Sequence, residues 1–212
     1  GATRRAAAQH SQSLQALVAH IPGLKVAMPS SAYEAKGLMK TAIRDDNPVV
    51  IFEDKLMYQD KAPVPEEEFL IPFGEANILR EGNDVTLIGT SSMRQVCEKA
   101  AELLEADGIS AEVMDPRTIV PLDEDTLLAS ARKPSRVLVV DEGPQSYGVT
   151  AEIAARINEK AFYHLDAPVI RMGAMDVPVP FSPALEDLTV PTPEGVAANA
   201  RKLMSGEMIH AA

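Results

Sequence analysis

Three short apolar runs that alternate with two helical patterns most constrain what this chain can fold into. The runs are Val85–Gly89, Ala111–Asp115 and 137–141, and each is rich in β-branched residues and of strand length. Strands that are apolar along their length and are joined by helices are typical of a parallel sheet with both faces covered. The pattern therefore predicts an α/β layer with a mostly parallel sheet.

Two helices are predicted between these runs. The first has apolar residues at helical spacing, with Ser92 placed to cap its start and Gly108 to end it. The second begins after Asp123, a predicted N-cap, and its apolar face is formed by Leu127, Leu128 and Ala131.

Residues 24–53 predict a second βαβ unit, which a helix precedes. Apolar spacing predicts a helix over residues 10–21, and short strands are predicted over 24–28 and 49–52. Ser31 and Glu34 form a capping box, in which the serine oxygen accepts from the Glu34 amide and the glutamate reaches back to the serine amide. This box begins the helix that joins the two strands.

A change in composition predicts the domain boundary. Prolines and acidic residues between Asp54 and Phe73 interrupt any regular element. We expect residues 1–54 to form one domain, 55–74 the linker and 75–212 the second domain. A hairpin-like entry over 71–79 is expected to lead into the second domain.

The last third of the chain continues the α/β pattern. A long helix is predicted after Gly148, then a strand over 169–172, and a last helix over 193–204 that ends at Gly206. Residues 176–193 contain many prolines with apolar residues between them, which is typical of an irregular segment that wraps along a surface.

Composition narrows the function classes. The formal net charge of −11 argues against nucleic acid and anionic membrane surfaces as partners. No run of about 18 apolar residues is present, and the first residues lack the apolar core of a signal peptide, so a cytoplasmic protein is expected. Cys97, the only cysteine, falls on an apolar helix face and offers no disulfide framework.

Several common motifs are missing. The chain has no GxGxxG after a strand, no P-loop, no HExxH and no GxSxG, which argues against dinucleotide, nucleotide, zinc-protease and α/β-hydrolase sites. The histidines lack ligand spacing, so no structural metal is expected; they are His10, His20, His164 and His210.

Three polar features each allow two interpretations. His10 suits a helix cap or surface residue more often than a catalytic group. Residues 45–48 can simply end a helix, or the exposed carbonyls of that helix end can hold a monovalent ion. Arg117 can meet an anion at the carboxyl end of a strand or, more commonly, pair with a local acid.

Four segments, in the same order along the chain, carry a resemblance to a known family. They are 4–12 (RRAAAQHSQ), 20–26 (HIPGLKV), 42–48 (AIRDDNP) and 166–171 (DAPVIR). Together they resemble the β subunits of thiamine-diphosphate-dependent 2-oxo acid dehydrogenase E1 components, over essentially the whole chain.

Two further segments are most similar to the acetoin dehydrogenase branch of that family. They are 57–66, with its Met-Tyr pair and proline-rich end, and 178–193, with its repeated prolines. The pyruvate dehydrogenase E1 β subunit is the close rival. The resemblance thus implies cleavage of acetoin to acetaldehyde with transfer of an acetyl unit to lipoamide, or oxidative decarboxylation of pyruvate.

The resemblance also implies a fold, partners and cofactors. It implies part of a pyrimidine-binding domain followed by a transketolase-like C-terminal domain, in a heterotetramer of two α and two β subunits. The E1 α subunit would bind the diphosphate of thiamine diphosphate through Mg²⁺. A second β subunit, the E2 peripheral subunit-binding domain and the E2 lipoyl domain are the other implied partners.

Two sets of residues match functional positions of the family. His10 matches the active-site histidine that faces the cofactor and assists proton transfer near substrate or lipoamide. Ala42, Asp45 and Asn47 match positions that hold a structural K⁺ in several members. Within this chain, the resemblance assigns no residue that binds thiamine diphosphate directly.

The chain also departs from the family pattern. Family members carry a further half-domain before the segment that begins here, including the glutamate that pairs with the aminopyrimidine of the cofactor. We therefore expect this chain alone to be inactive, and residues 1–53 to expose an apolar sheet edge. A non-catalytic assembly and docking module is the alternative expectation.

Overall fold

The computed structural model describes residues 1–207, and residues 208–212, which include His210, lie outside the described part. Within it the strands are β1 Lys25–Ala27, β2 Val49–Ile51, β3 Asn77–Arg80, β4 Val85–Gly89, β5 Ala111–Asp115, β6 Thr118–Val120, β7 Val137–Pro144 and β8 Ile170–Ala174. The helices are α1 Ala7–His10, α2 Gln15–Ala19, α3 Ala32–Ile43, α4 Met93–Glu105, α5 Glu124–Arg132, α6 Val149–Ala161, α7 Pro183–Glu186 and α8 Pro193–Ser205.

The larger sheet has the strand order β3-β5-β4-β7-β8. The pairs β4–β5, β4–β7 and β7–β8 are parallel, and only the edge strand β3 runs antiparallel to its neighbour β5. The predicted mostly parallel α/β layer is confirmed. Strands β4 and β5 have the predicted bounds, whereas β7 continues past Asp141 to Pro144.

Helices cover both faces of this sheet. On one face α4 and α8 enclose a core that includes Leu87, Val113, Leu138 and the fully buried Cys97. On the other face α5 and α6 enclose a core around Ile88. Burial raises the pKa of the Cys97 thiol, so Cys97 is the core residue that its position on the helix predicted.

The capping predictions have different outcomes. The Asp123 side chain accepts from the Thr126 amide at 3.1 Å and caps α5 as predicted. Ser92 does not cap α4, because its backbone is already helical (φ −60°, ψ −25°) and its side chain makes no capping hydrogen bond. Gly108 takes a positive φ of 77° just beyond α4, in agreement with its predicted role in ending that helix.

The predicted hairpin over residues 71–79 is wrong. Only Asn77–Arg80 is a strand, and its partner is β5 rather than a neighbour in sequence. Ile71, with Phe69 and Phe73, packs instead against Leu38 of α3. We call the elements of residues 1–54 the first layer, and the larger sheet with its helices the second layer. The apolar residues before β3 therefore pack against the first layer and are not available to form a hairpin arm.

The smaller sheet has the order β2-β1-β6 and joins the two halves of the chain. Strand β2 runs parallel to β1 as the predicted βαβ unit requires, whereas β6 comes from the second half and runs antiparallel to β1. Both predicted strands are shorter than expected. Strand β2 is half-buried rather than buried, because it lies at the sheet edge.

The predicted helix over residues 10–21 is interrupted. Helix α1 ends at His10, residues 11–14 are not helical, and α2 begins at Gln15. Leu17 and Ile21 remain 65% and 47% exposed, so part of the predicted apolar stripe faces solvent. These side chains lie on and just after α2 and are not the apolar sheet edge expected of residues 1–53; that edge is strand β2, whose residues are half-buried.

The capping box at the start of α3 forms only in part. The Ser31 side chain accepts from the Glu34 amide at 3.2 Å as predicted. The Glu34 carboxylate does not return to the Ser31 amide, since it accepts from the Ser30 amide at 3.0 Å and pairs with Arg117. A long-range ionic contact thus replaces the local one.

The C-terminal third follows the prediction closely. Helix α6 buries Ile153 and Ile157, and α8 ends at Gly206 with a positive φ of 74°. Residues 176–193 are irregular apart from the single turn of α7. Across residues 1–207, none of the helices combines the length and apolar character that crossing a membrane requires.

Candidate functional site

Polar residues at the carboxyl ends of the central parallel strands meet the first layer. Thr90 follows β4, Asp115 ends β5 and Asp141 lies near the end of β7, and each is at most 1% exposed. This edge of an open parallel sheet is where ligands commonly bind. Here it is covered by side chains of the first layer, including Gln15 and Ser30.

His10 lies at the end of α1, with its side chain exposed. Its backbone oxygen accepts from the Lys55 ammonium at 3.3 Å, and Arg4 donates to the Lys55 carbonyl. Within residues 1–207, the imidazole itself makes no hydrogen bond in this structure. The main chain at His10 is thus contacted by Lys55, while its exposed ring is accessible to another molecule.

The segment that follows His10 is attached to the carboxyl end of β7. Gln15 donates to Asp141 Oδ2 at 2.7 Å, and Ser13 donates to Glu142 Oε1 at 3.0 Å. Gln15 and Asp141 are 3% and 1% exposed, so their contact is shielded from water. These two hydrogen bonds lie at the interruption of the predicted helix.

Burial determines the protonation of this acidic pair. Burial raises the pKa of Asp141, although Thr90, the Gly143 amide and Gln15 all donate to its carboxylate. Burial, together with the neighbouring Asp54 charge, raises the pKa of Glu142 to about 7. The Glu142 carboxyl group therefore titrates near neutral pH, in contact with the segment that carries His10.

A second buried cluster joins the two layers through Ser30, Glu34, Asp115 and Arg117. The Arg117 Nε lies 2.9 Å from Glu34 Oε1, and the Arg117 amide donates to Asp115 Oδ1 at 2.8 Å. Glu34 is 2% exposed. Arg117 thus pairs with an acid, but this acid is 83 positions away in sequence rather than the local acid that was expected.

This second cluster holds an additional proton. The Ser30 hydroxyl lies 2.5 Å from Glu34 Oε2 and also contacts Asp115 Oδ2. A hydroxyl has one proton to donate, so one carboxyl group accepts from Ser30 and the other must donate to it. Burial and the Glu34 charge raise the pKa of Asp115 to about 7.

Glu34 is the ionised partner in this cluster. Burial raises the pKa of Glu34, but the contacts with Ser30 and Arg117 outweigh it and leave the pKa below its usual value. Below about pH 7 the additional proton therefore lies on Asp115, which donates to Ser30.

Ala42, Asp45 and Asn47 meet in one turn at the end of α3. Asp45 Oδ1 accepts from the Asn47 amide at 2.9 Å, and the Ala42 carbonyl accepts from the Asp45 amide at 3.2 Å. The Lys25 ammonium lies 2.5 Å from Asp45 Oδ2 and, with Asn47, lowers the pKa of Asp45 to about 2. Lys25 thus supplies one cation at this helix end.

Clefts are present at several places in the described part of the chain. One of about 180 Å³ is lined by Pro29, Asp54 and Tyr58, and one of about 350 Å³ by Ser13 and Glu142 among others. The largest, about 860 Å³, lies beside β8 and α8. His10 lines none of these three. Within residues 1–207, no group of three or more His, Cys, Asp or Glu side chains is placed to hold a metal.

The acidic contacts at the end of β7 were not predicted from the sequence. Their signal was present, because two of the three apolar runs end in an acid, Asp115 and Asp141. Acids at neighbouring parallel strand ends are expected to lie at one sheet edge. Their partners Gln15 and Ser30 lie far away in sequence and carry no local signal.

Two sequence families match this chain. The transketolase pyrimidine-binding domain matches residues 1–61, and the transketolase C-terminal domain matches residues 74–196. The Bacillus subtilis (strain 168) acetoin:2,6-dichlorophenolindophenol oxidoreductase subunit beta is 48% identical over 96% of this chain and 60% of its own length. The Rickettsia felis pyruvate dehydrogenase E1 component subunit beta is 46% identical over 96% of this chain and 62% of its own length.

A solved structure agrees with these sequence matches. The structure described as "Split gene transketolase, inactive beta4 tetramer" is 27% identical, covers 95% of this chain and 64% of that chain, and superposes with a TM-score of 0.79. This chain spans about three fifths of the length of the two curated relatives above. The transketolase C-terminal domain matches more than half of this chain, and the pyrimidine-binding domain matches its first part. This chain therefore belongs to the transketolase family.

Proposed function

We propose that this chain is the β subunit of a thiamine-diphosphate-dependent 2-oxo acid dehydrogenase E1 component, acting in an acetoin dehydrogenase complex. The reaction would cleave acetoin to acetaldehyde and transfer the acetyl unit to lipoamide on E2. The observation that carries the proposal is the 48% identity to the acetoin oxidoreductase β subunit over 96% of the chain. The division into residues 1–54, 55–74 and 75–212 is part of the same proposal.

Pyruvate is the second candidate substrate. The pyruvate dehydrogenase β subunit of Rickettsia felis is 46% identical, close to the value for the acetoin relative. Oxidative decarboxylation of pyruvate would place the same two-carbon unit on lipoamide. The two candidates therefore differ in the bond that is broken and not in the acceptor.

His10 is the residue that we assign to proton transfer. Its imidazole is exposed at the end of α1, where Lys55 contacts the main chain, and this exposure suits a group that meets a substrate or lipoyl group supplied by another subunit. Thiamine diphosphate, when bound, would supply the electron sink for cleavage of the carbon–carbon bond. The described residues do not enclose His10, and they offer one side of such a site rather than a complete cradle.

The remaining parts of the site are assigned to partners. An E1 α subunit would hold the diphosphate through Mg²⁺, and a second β subunit would complete the heterotetramer. The exposed apolar side chains of α2 and α3, including Leu17 and Ile43 at 65% and 75% exposure, support contacts with other chains in this assembly. The E2 peripheral subunit-binding and lipoyl domains would be the further partners.

A structural K⁺ at Ala42, Asp45 and Asn47 is also proposed. The three residues share one turn, which supports the proposal, and the carbonyl groups of a helix end are suitable ligands for a monovalent cation. Because Lys25 and Asn47 already contact the Asp45 carboxylate, backbone oxygens rather than this carboxylate would bind the ion.

A non-catalytic assembly module is the alternative from a different class. The solved relative described as an inactive beta4 tetramer favours it, since that protein is inactive in a β-only assembly. Under this alternative the chain would bind E1 α, a second β subunit or E2 without contributing a catalytic group.

One reconstitution separates these proposals. A β subunit carrying this sequence is combined with an E1 α subunit, thiamine diphosphate and Mg²⁺, and reduction of a lipoyl domain is measured with acetoin or pyruvate as substrate. The proposal predicts cofactor-dependent turnover with acetoin exceeding that with pyruvate. Preference for pyruvate would reassign the substrate, and assembly without turnover on either substrate would support the module.

A further inference from the structure

We infer that Gln15 and Ser13 are positioning residues for His10, through their hydrogen bonds to Asp141 and Glu142 at the carboxyl end of β7. This inference rests on the proposed role of His10. It concerns how the second layer fixes the place of that residue, and not the chemistry itself.

The first argument comes from the interrupted helix. The apolar pattern favours an unbroken helix over residues 10–21, yet residues 11–14 are not helical. Ser13, inside the break, and Gln15, at the start of α2, reach residues that lie 129 and 126 positions further along the chain. The break separates α1, which ends at His10, from α2, so these contacts determine where His10 stands.

The second argument comes from burial. Gln15 and Asp141 are almost completely buried, and Ser11 in the break is 2% exposed, while His10 next to it is exposed. Breaking a buried hydrogen bond to a carboxyl group without replacing it leaves a buried polar group unsatisfied, which is unfavourable. The segment is therefore anchored by buried groups on one side, while the His10 side chain extends into solvent, as do those of Gln12 and Leu14.

The third argument comes from Gly143. A Cβ atom at this position would lie 2.7 Å from Asp141 Oδ2 and 2.9 Å from Gln15 Nε2. Both separations are too short for a carbon atom in contact with a polar atom. Because Gly143 has no side chain, there is space for the hydrogen bond between Gln15 and Asp141.

The experiment is a double-mutant cycle in intact E1 whose β subunit carries this sequence. The single variants are Gln15→Met, Ser13→Ala and His10→Ala. Gln15→Met keeps the length of the side chain and removes its hydrogen-bond donor. Gln15→Met and Ser13→Ala are each also combined with His10→Ala. Gln95→Met is the matched control, because Gln95 also donates to a carboxylate at 2.7 Å, but in an exposed pair with Asp60. Lipoyl-domain reduction is measured as kcat and KM.

Positioning predicts a fall in kcat of about tenfold for Gln15→Met and Ser13→Ala, with KM within about twofold of the parent. In the His10→Ala background both substitutions should have no further effect, because the residue they position is absent. Glu142→Gln should retain kcat within about threefold, since its amide oxygen still accepts from Ser13. Gln95→Met should match the parent.

An equal fold-loss in the presence and absence of His10, or an unchanged kcat in folded Gln15→Met and Ser13→Ala, would overturn the inference. Thermal unfolding identifies folded variants, and Ser13→Ala provides the test if Gln15→Met does not fold, because Ser13 is only half-buried. If His10→Ala alone retains full activity, the proposed role of His10 fails, which is a separate outcome.

Discussion

The Nε atom of Arg117 lies 2.9 Å from Oε1 of Glu34, and this pair joins the two layers across 83 positions of the sequence. Glu34 begins α3 in the first layer, and Arg117 follows β5 in the second. Both side chains are largely buried, at 2% and 14% exposure. The contact therefore ties the orientation of α3 to the carboxyl edge of the parallel sheet.

Removal of the Glu34 charge should destabilise the chain strongly. Glu34→Gln removes the charge that pairs with the Arg117 Nε and leaves Asp115 as the remaining acidic group of the cluster. Breaking a buried ion pair in this way costs up to about 3–5 kcal/mol. Glu68→Gln is the control, because the Arg44–Glu68 pair is about half exposed and should contribute no more than about 1 kcal/mol. The free energy of unfolding in urea at pH 7 measures both. If the two substitutions lower the free energy of unfolding equally, the interlayer pair does not contribute more to stability than an exposed pair.

The additional proton in this cluster predicts a pH dependence of stability. The pKa of Asp115 is about 7 in the folded chain and 3.8 in the reference state, so the folded chain binds more protons between these values. The free energy of unfolding should therefore fall as pH rises from about 4 to about 7, by at most about 1.4 kcal/mol per pH unit for one proton. Above this window the contribution is lost.

Asp115→Asn isolates this effect from other titrating groups. The asparagine amide can donate to Ser30 and its oxygen can accept from the Arg117 amide, as the protonated Asp115 does. The free energy of unfolding of this variant should lack the pH-dependent contribution of Asp115. At pH 8 the variant should be at least as stable as the parent. The remaining charged groups of the cluster, Glu34 and Arg117, are unchanged. A difference between variant and parent that is the same at pH 5 and pH 8 would contradict the assignment of the proton.

The proposed K⁺ site predicts an ion-specific effect on stability. At equal ionic strength the midpoint of thermal unfolding should be higher in KCl than in NaCl, since an ion that binds only the folded chain stabilises it by about 2.7 kcal/mol at a hundredfold excess over Kd. Asn47→Pro, which removes the amide that donates to Asp45, should abolish the difference. Identical midpoints in the two salts would rule out a K⁺ site at this turn.

The elements that the sequence predicts correctly are those with local causes. Strands β4 and β5 have the predicted bounds because each is an apolar run between turn residues. Asp123 caps α5 because its partner lies three residues away. Such signals act within a few residues of the chain and need no knowledge of the fold.

The predictions that fail do so because distant contacts prevail. The helix over residues 10–21 is interrupted where Ser13 and Gln15 form hydrogen bonds to β7. The Glu34 carboxylate leaves its predicted capping contact for Arg117. His10 was identified through a family resemblance rather than through its chemistry, because an exposed histidine has no distinctive local pattern. Its placement depends on partners more than 120 residues away.

The reactivity of His10 tests the central claim most directly. The measurement is the rate of lipoyl-domain reduction by intact E1 whose β subunit carries His10 or His10→Ala, with acetoin as substrate and with α–β assembly verified by size-exclusion chromatography. We expect assembly to be unaffected and the rate to fall by about a hundredfold or more, as for loss of a group that transfers a proton. An unchanged rate in an assembled complex would contradict the proposed role of His10.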